Sequence, residues 1–131
     1  MNVESFEKLH GFFIEDLKVG QKAILKKKIT ENDINQFSLV TGDNNPVHIN
    51  EDFAKHTIFK KRIAHGFLSA SLISTVIATK LPGPGSIYLK QSLKFLAPVF
   101  IDEEISVKIV VLEINNETVS YTHLTLPTRI F

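Results

Sequence analysis

From Gly66 to Thr79 the chain carries no charged residue, and Phe67, Leu68, Ala70, Leu72, Ile73, Val76, Ile77 and Ala78 surround the helical wheel instead of lining one side of it. A helix that is apolar on every side has to be covered on every side, so this segment predicts a long buried helix around which the rest of the fold is organised. Its end is set by Leu81-Pro82-Gly83-Pro84-Gly85, where proline removes amide donors and glycine opens the backbone to a sharp turn.

The flanking sequence supplies the cover. After the turn, Ile87, Leu89, Gln91, Leu93 and Phe95 alternate with Tyr88, Lys90, Ser92 and Lys94, and Ile105, Val107, Ile109 and Val111 repeat the period of two expected of half-buried strands. Asn115-Asn116 reads as a hairpin turn into a strand starting near Thr118, and an earlier strand is expected from about Ala23 to Ile29. Thr30, with Asp33 three residues on, has the spacing of a helix N-cap whose acidic partner reaches back to free amides. Ile34, Phe37 and Leu39 give that helix its apolar face, Gly42 is its expected stop, and a short helix is expected from about Glu51 to His56. One long helix with antiparallel strands before and after it predicts an α+β architecture.

At 131 residues the sequence suits a single domain, 1–131, and its 44% apolar and 22% charged residues are those of a globular protein. Fifteen basic residues against fourteen acidic ones leave a net charge of +1, which singles out neither nucleic acid nor a membrane surface as a partner. Lys26-Lys27-Lys28 reads as a solvated face. Lys60, Lys61 and Arg62 do as well, although they stand beside the suspected site and are candidates for phosphate contacts. The absence of cysteine removes disulfides and thiolate metal sites, and Met1 to His10 lacks the basic-then-apolar order of a secretion signal, so a cytoplasmic protein is the simplest expectation.

The chemistry concentrates in Thr41-Gly42-Asp43-Asn44-Asn45-Pro46-Val47-His48 and in Ala64-His65-Gly66 at the mouth of the apolar helix. Proline pushes Asn45 toward an extended backbone, and the bend offers a carboxylate and an imidazole, five residues apart, to one cavity. Such a pair suits holding a water: imidazole accepts a proton near neutral pH, and the carboxylate orients the nucleophile. Asp43 equally suits bracing the turn through nearby amides, and His48 a buried structural role. Gly66 opens the helix, where amides without intrahelical partners can receive developing negative charge; it also simply permits close packing there.

The run from Phe37 through Ser74, with Asp43, Asn45, Pro46 and His48 matching the pattern Asp-x-Asn-Pro-x-His and Ala-His-Gly-Phe-Leu-Ser-Ala-Ser following, resembles the MaoC-like dehydratases and R-specific enoyl-CoA hydratases. The likeness extends from about Gly11 to Ile114. It implies a hot-dog fold, a long central helix wrapped by a curved antiparallel sheet, and hydration of a trans-2-enoyl-thioester to the R-3-hydroxyacyl-thioester or the reverse. By the same resemblance Asp43 and His48 are the catalytic pair, Gly66 presents its amide to the thioester oxygen, Asn45 and His65 are supporting, and Ser74 lies near the pair. No metal and no cofactor is implied beyond the coenzyme A or acyl carrier protein that carries the substrate, and a homodimer is the implied assembly.

The segment 119–131 departs from that pattern. Tyr121, His123 and Thr125 alternate weakly before Pro127 ends any central-strand reading, and the stretch resembles translated adapter sequence, which would make it a non-native tail. Two rival functions share the fold: an acyl-thioester hydrolase, which needs no imidazole at position 48, and a catalytically silent acyl-thioester binding module, which needs neither member of the pair.

Overall fold

A computed structural model describes residues 1–115 and 120–125, the last six as backbone only. Its elements are α1 (Val3–Leu9), a 3₁₀ turn (Ile14–Asp16), β1 (Lys22–Lys28), α2 (Glu31–Thr41), α3 (Pro46–Ile49), α4 (Glu51–Ala54), α5 (Gly66–Thr79), β2 (Glu104–Asn115) and β3 (Ser120–Thr125). The strands form one sheet in the order β1-β2-β3. The chain divides into two compact units, one of Met1–Leu25, Leu72–Ser92 and the described part of Val107–Leu126, the other of Lys26–Ser71 and Leu93–Ser106. No helix among the described residues is long and apolar enough to cross a membrane.

In the first unit β2 and β3 run antiparallel, with Ile109 opposite Thr125 and Asn115 opposite Ser120, and the register slips between Val111 and Glu113. The alternation in the sequence sets the buried face of β2: Val107, Ile109 and Val111 are fully covered while the residues between them are not. Leu72, Ile73, Val76, Ile77 and Leu81 complete that core. The expected further strand is β3, Ser120–Thr125; the expected turn at Asn116 and strand start near Thr118 lie outside the described residues, as do 119 and 126–131 of the suspected tail.

Two expectations fail here. Residues 87–94 join no ladder, and Ile87 and Leu89 are 76% and 82% exposed, because alternation supplies a pleated face but not the neighbouring strand that a ladder requires. Helix α5 is not covered on every side either. Leu68, Leu72, Ile73, Val76 and Ile77 are buried, whereas Phe67 is 67% exposed and Ser71, Ser74, Thr75 and Ala78 are also on the surface. The exposed positions are mostly small or hydroxylated, so the helix is amphipathic in size and polarity even though it carries no charge.

The second unit holds the residues of interest. Thr30 accepts from the amide of Asp33 at 3.1 Å while the Asp33 carboxylate accepts from the amide of Thr30 at 2.9 Å, so the expected capping box starts α2. That amide, together with Lys27 at 3.1 Å, holds the Asp33 carboxyl below its ordinary range, so its contribution to stability is present above the unfolded value near 3.8 and is lost as pH falls through the lowered one. The helix ends at Gly42 in the left-handed conformation, φ 78°, as expected of that residue. Its apolar face is narrower than predicted: Ile34 is buried, Leu39 is 84% exposed, and Ser38 occupies the inner position instead. A further short helix, α3, begins at Pro46 inside what the sequence presented as a loop, because proline at the first helical position costs no hydrogen bond.

Thr30→Ala removes one half of the capping box and is expected to lower the stability of the protein by about 1 kcal/mol. Chemical denaturation of the variant beside the parent measures it.

Candidate active site

His48 lies in α3, one turn after the Asn45 cap. Asn45 lies outside the helical region that a following proline disfavours, φ −51° and ψ 123°, and its side chain accepts from the amide of Val47 at 3.2 Å, which starts the helix that carries the imidazole. His48 is 9% exposed, and its Nδ1 lies 2.8 Å from the carbonyl oxygen of Ile63. A carbonyl only accepts, so Nδ1 must carry the proton, and Nε2 of the neutral ring is left with an open lone pair. Burial, the largest influence, pushes the His48 pKa below its ordinary 6.5, and the neighbouring His65 pushes the same way; the Ile63 carbonyl and the Asp43 carboxylate oppose them.

Asp43 sits on the bend after Gly42, held mainly by its backbone. Its carbonyl oxygen accepts from the Ser38 hydroxyl at 2.6 Å and from Nε2 of His65 at 3.0 Å, and its amide donates to the Thr41 hydroxyl at 3.2 Å. One carboxylate oxygen, Oδ1, accepts from the amide of Asn45 at 3.2 Å. The turn-bracing role that the sequence left open is therefore real, yet it occupies one oxygen only; Oδ2 has no partner among the described residues.

His65, expected as a supporting residue, is 2% exposed and stacks on His48 with ring centroids 3.9 Å apart. Because its Nε2 faces a carbonyl, that nitrogen is the protonated one, and the buried Nδ1 has no hydrogen-bond partner among the described residues. Phe37 packs on its other ring contact at 4.8 Å. One ligand atom each of Asp43, His48 and His65 falls within 4.8 Å of the others, so the carboxylate and the imidazole of the motif lie close together, and the imidazole of His65, which the motif does not include, joins them. The set is less suited to an ion than its composition suggests. The two imidazole planes are inclined by only 28°, so their in-plane lone pairs do not meet at a point about 2 Å from both nitrogens, and holding a metal requires one ring to leave the stack.

Gly66 begins α5, and the carbonyl of His65 accepts from the amides of Leu68 and Ser69 at 3.1 and 3.4 Å, so the amide of Gly66 precedes the first intrahelical donors. A Cβ at Gly66 would come within 2.9 Å of the Phe95 ring, so a larger residue there requires that ring to move and glycine suits the close packing at this helix start. Ser74 is exposed on α5 and belongs to the first unit. An open depression of about 450 Å³ is lined by Asn35, Ser38, Leu39, Gly42, Asn44 and Ile49, residues that adjoin the pair in sequence but do not include it.

The basic cluster separates. Lys60 and Lys61 are exposed, Lys61 with its ammonium 4.6 Å from the centre of the Phe100 ring. Arg62 does not fit the expected phosphate contact. Its side chain is 8% exposed, and its three nitrogens donate to the carbonyl of His48 at 2.6 Å, to Glu31 at 2.6 Å and to Asn35 at 3.1 Å, leaving the guanidinium neither accessible nor unsatisfied. Glu31, Asn35, Ser38 and Ile63 were not legible as contributors: each acts through a contact made possible only by folding, and Ile63 contributes nothing but its backbone.

The sequence and the fold have known counterparts. A family model described as MaoC like domain matches residues 16–126. The chain is 54% identical over 103 residues to an (R)-specific enoyl-CoA hydratase of Rhodospirillum rubrum, covering 79% of this chain and 70% of that protein. It is 49% identical over 106 residues to a 3-hydroxybutyryl-CoA dehydratase of Methylorubrum extorquens, covering 81% and 68%. The solved structure of an (R)-hydratase from A. caviae involved in PHA biosynthesis superposes with a TM-score of 0.85 at 38% identity, covering 88% of this chain and 87% of that one. The fold is thus the α+β hot-dog fold that the resemblance implied, and with the family model spanning most of its length the chain belongs to the MaoC-like domain family.

Proposed function

We propose that the protein is an R-specific enoyl-CoA hydratase, a hydro-lyase that adds water across a trans-2-enoyl-thioester and catalyses the reverse dehydration, with Asp43 and His48 as the water-activating pair. The observation that carries this is the state of the two groups: a neutral imidazole with Nδ1 committed to Ile63 and Nε2 open, beside a carboxylate with one uncommitted oxygen. The names of the two relatives, a hydratase and a dehydratase acting on coenzyme A thioesters, support the same chemistry read in its two directions.

Water held between Nε2 of His48 and Oδ2 of Asp43 gives up a proton to the pair as its oxygen bonds to C3 of the enoyl group. The C2–C3 π electrons move toward C2 and the thioester carbonyl, whose oxygen takes up negative charge. Gly66 is the proposed donor to that oxygen, because the first amides of a helix lack internal partners and lie at the positive end of its dipole. Return of a proton from the pair to C2 completes the addition, so no net proton is gained or lost. Holding water and alkene together removes much of the entropic barrier. Ser74 is retained as a supporting residue, and Lys60 and Lys61, both exposed, as contacts for the phosphates of the carrier. The proposal needs no metal or organic cofactor besides that carrier.

A homodimer in the cytoplasm is the setting we propose. Support for self-association comes from the large apolar side chains left exposed in the monomer, Ile87, Leu89 and Phe67 among them, and the cysteine-free sequence suits a reducing compartment.

Purified protein mixed with crotonyl-CoA is expected to abolish the absorbance of the conjugated thioester and to yield the R-3-hydroxy product; release of free thiol in place of hydration, or binding without an absorbance change, overturns the assignment. Asp43→Asn and His48→Asn are each expected to lower kcat by about 10²–10⁴-fold with melting temperatures within a few degrees of the parent. The pH dependence has a definite sign. Burial disfavours the charged ring, so the base stays neutral to lower pH than an ordinary histidine, and the acid limb of kcat/KM is expected below 6.5. The associated stability is fully present above the unfolded value and declines as pH falls through the lowered one.

A further inference from the structure

Arg62 joins the candidate base to a helix that carries no reacting group. Its Nε donates to the main-chain carbonyl of His48 at 2.6 Å, and its terminal nitrogens donate to Glu31 at 2.6 Å and Asn35 at 3.1 Å, two residues four apart on one face of α2. The next residue, Ile63, accepts from Nδ1 of the same histidine and donates its amide to the carbonyl of Val47 at 3.3 Å. Consecutive residues therefore grip His48 at two points, the guanidinium at its backbone and the Ile63 carbonyl at its ring, while the amide of Ala64 donates to the carbonyl of Val99 at 2.7 Å so that the gripping segment is itself held. A cation this deeply buried is retained only where its donors are satisfied, and here all three nitrogens are.

Resting on the reading of His48 as the base, we propose that Arg62 is a positioning residue that uses α2 as a fixed support to hold His48 where its Nδ1 meets the Ile63 carbonyl, so that Nε2 faces the water in a single tautomer. The fork of the guanidinium is needed for this. A lysine ammonium carries the same charge but cannot donate to the His48 carbonyl, Glu31 and Asn35 along three fixed directions. Replacing Arg62 thus acts on catalysis through the placement of another residue, and conserving the charge does not repair it.

The experiment combines turnover of enoyl-CoA with ¹⁵N spectra of the His48 ring in Arg62→Met, Arg62→Lys and, because either may fold poorly, the double variant Glu31→Ala with Asn35→Ala, which leaves the arginine in place and removes its supports. We expect kcat at least tenfold lower in both arginine variants and several-fold lower in the double variant, with KM within twofold of the parent. The His48 nitrogens should shift from the pure Nδ1–H pattern toward an average of the two tautomers. Lysine is expected not to restore the rate. Unchanged nitrogen shifts and kcat within twofold in the double variant or in either arginine variant overturn the proposal, even if thermal stability falls, since a purely structural arginine would lower stability alone. His48→Asn, run in parallel, separates the two levels: full turnover in that variant refutes the role of His48 as base, whereas the tautomer signal tests the grip of Arg62 whatever the turnover.

Discussion

A single hydrogen bond, from Nδ1 of His48 to the carbonyl oxygen of Ile63, decides which face of the imidazole is available for chemistry. Backbone carbonyls cannot donate, so the bond fixes the tautomer as well as the ring orientation, and it does so with a group that no side-chain substitution removes. The opposing influences on the ring follow from the same burial: a site closed enough to hold the bond also disfavours the charged imidazolium, and the stacked His65 adds to that effect. A neutral base at neutral pH is the natural state of such a ring.

The carboxylate partner is secured by a different division of labour. Asp43 is anchored through its carbonyl oxygen by Ser38 and His65 and through one carboxylate oxygen by the amide of Asn45, so the turn is held without consuming the second oxygen. His65 takes part in both arrangements, stacking on His48 while tying down the backbone of Asp43. Its own Nδ1 is buried with no hydrogen-bond partner among the described residues. The placement of the exposed Asp43 and the buried His48 therefore depends on a third residue that is almost fully enclosed.

Local signals in the sequence were read well wherever the relevant physics is itself local. The Thr30–Asp33 capping box, the left-handed stop at Gly42, the non-helical Asn45 before Pro46 and the alternating burial along β2 all follow from dihedral preferences and from the two-residue period of a strand. Expectations that needed a neighbour fared worse. The 87–95 alternation has the pattern of a strand but joins no ladder over 87–94, and the uncharged helix α5 keeps one face of small and hydroxylated residues at the surface, because hydropathy marks what can be buried and not what the fold has available to bury it.

The sequence by itself determined the family, the hot-dog class and the convergence of a carboxylate and an imidazole across a proline bend, since the motif and its turn chemistry are written in consecutive residues. Only the tertiary structure decided which nitrogen of His48 is free, that Asp43 keeps one oxygen unbonded, and that Arg62 faces Glu31, Asn35 and the His48 backbone instead of solvent. The partners of His48 and Arg62 lie 14 to 31 residues away along the chain. At such separations, which side chain meets which carbonyl is fixed by the packing of helices and strands, and no local pattern of residue types encodes it.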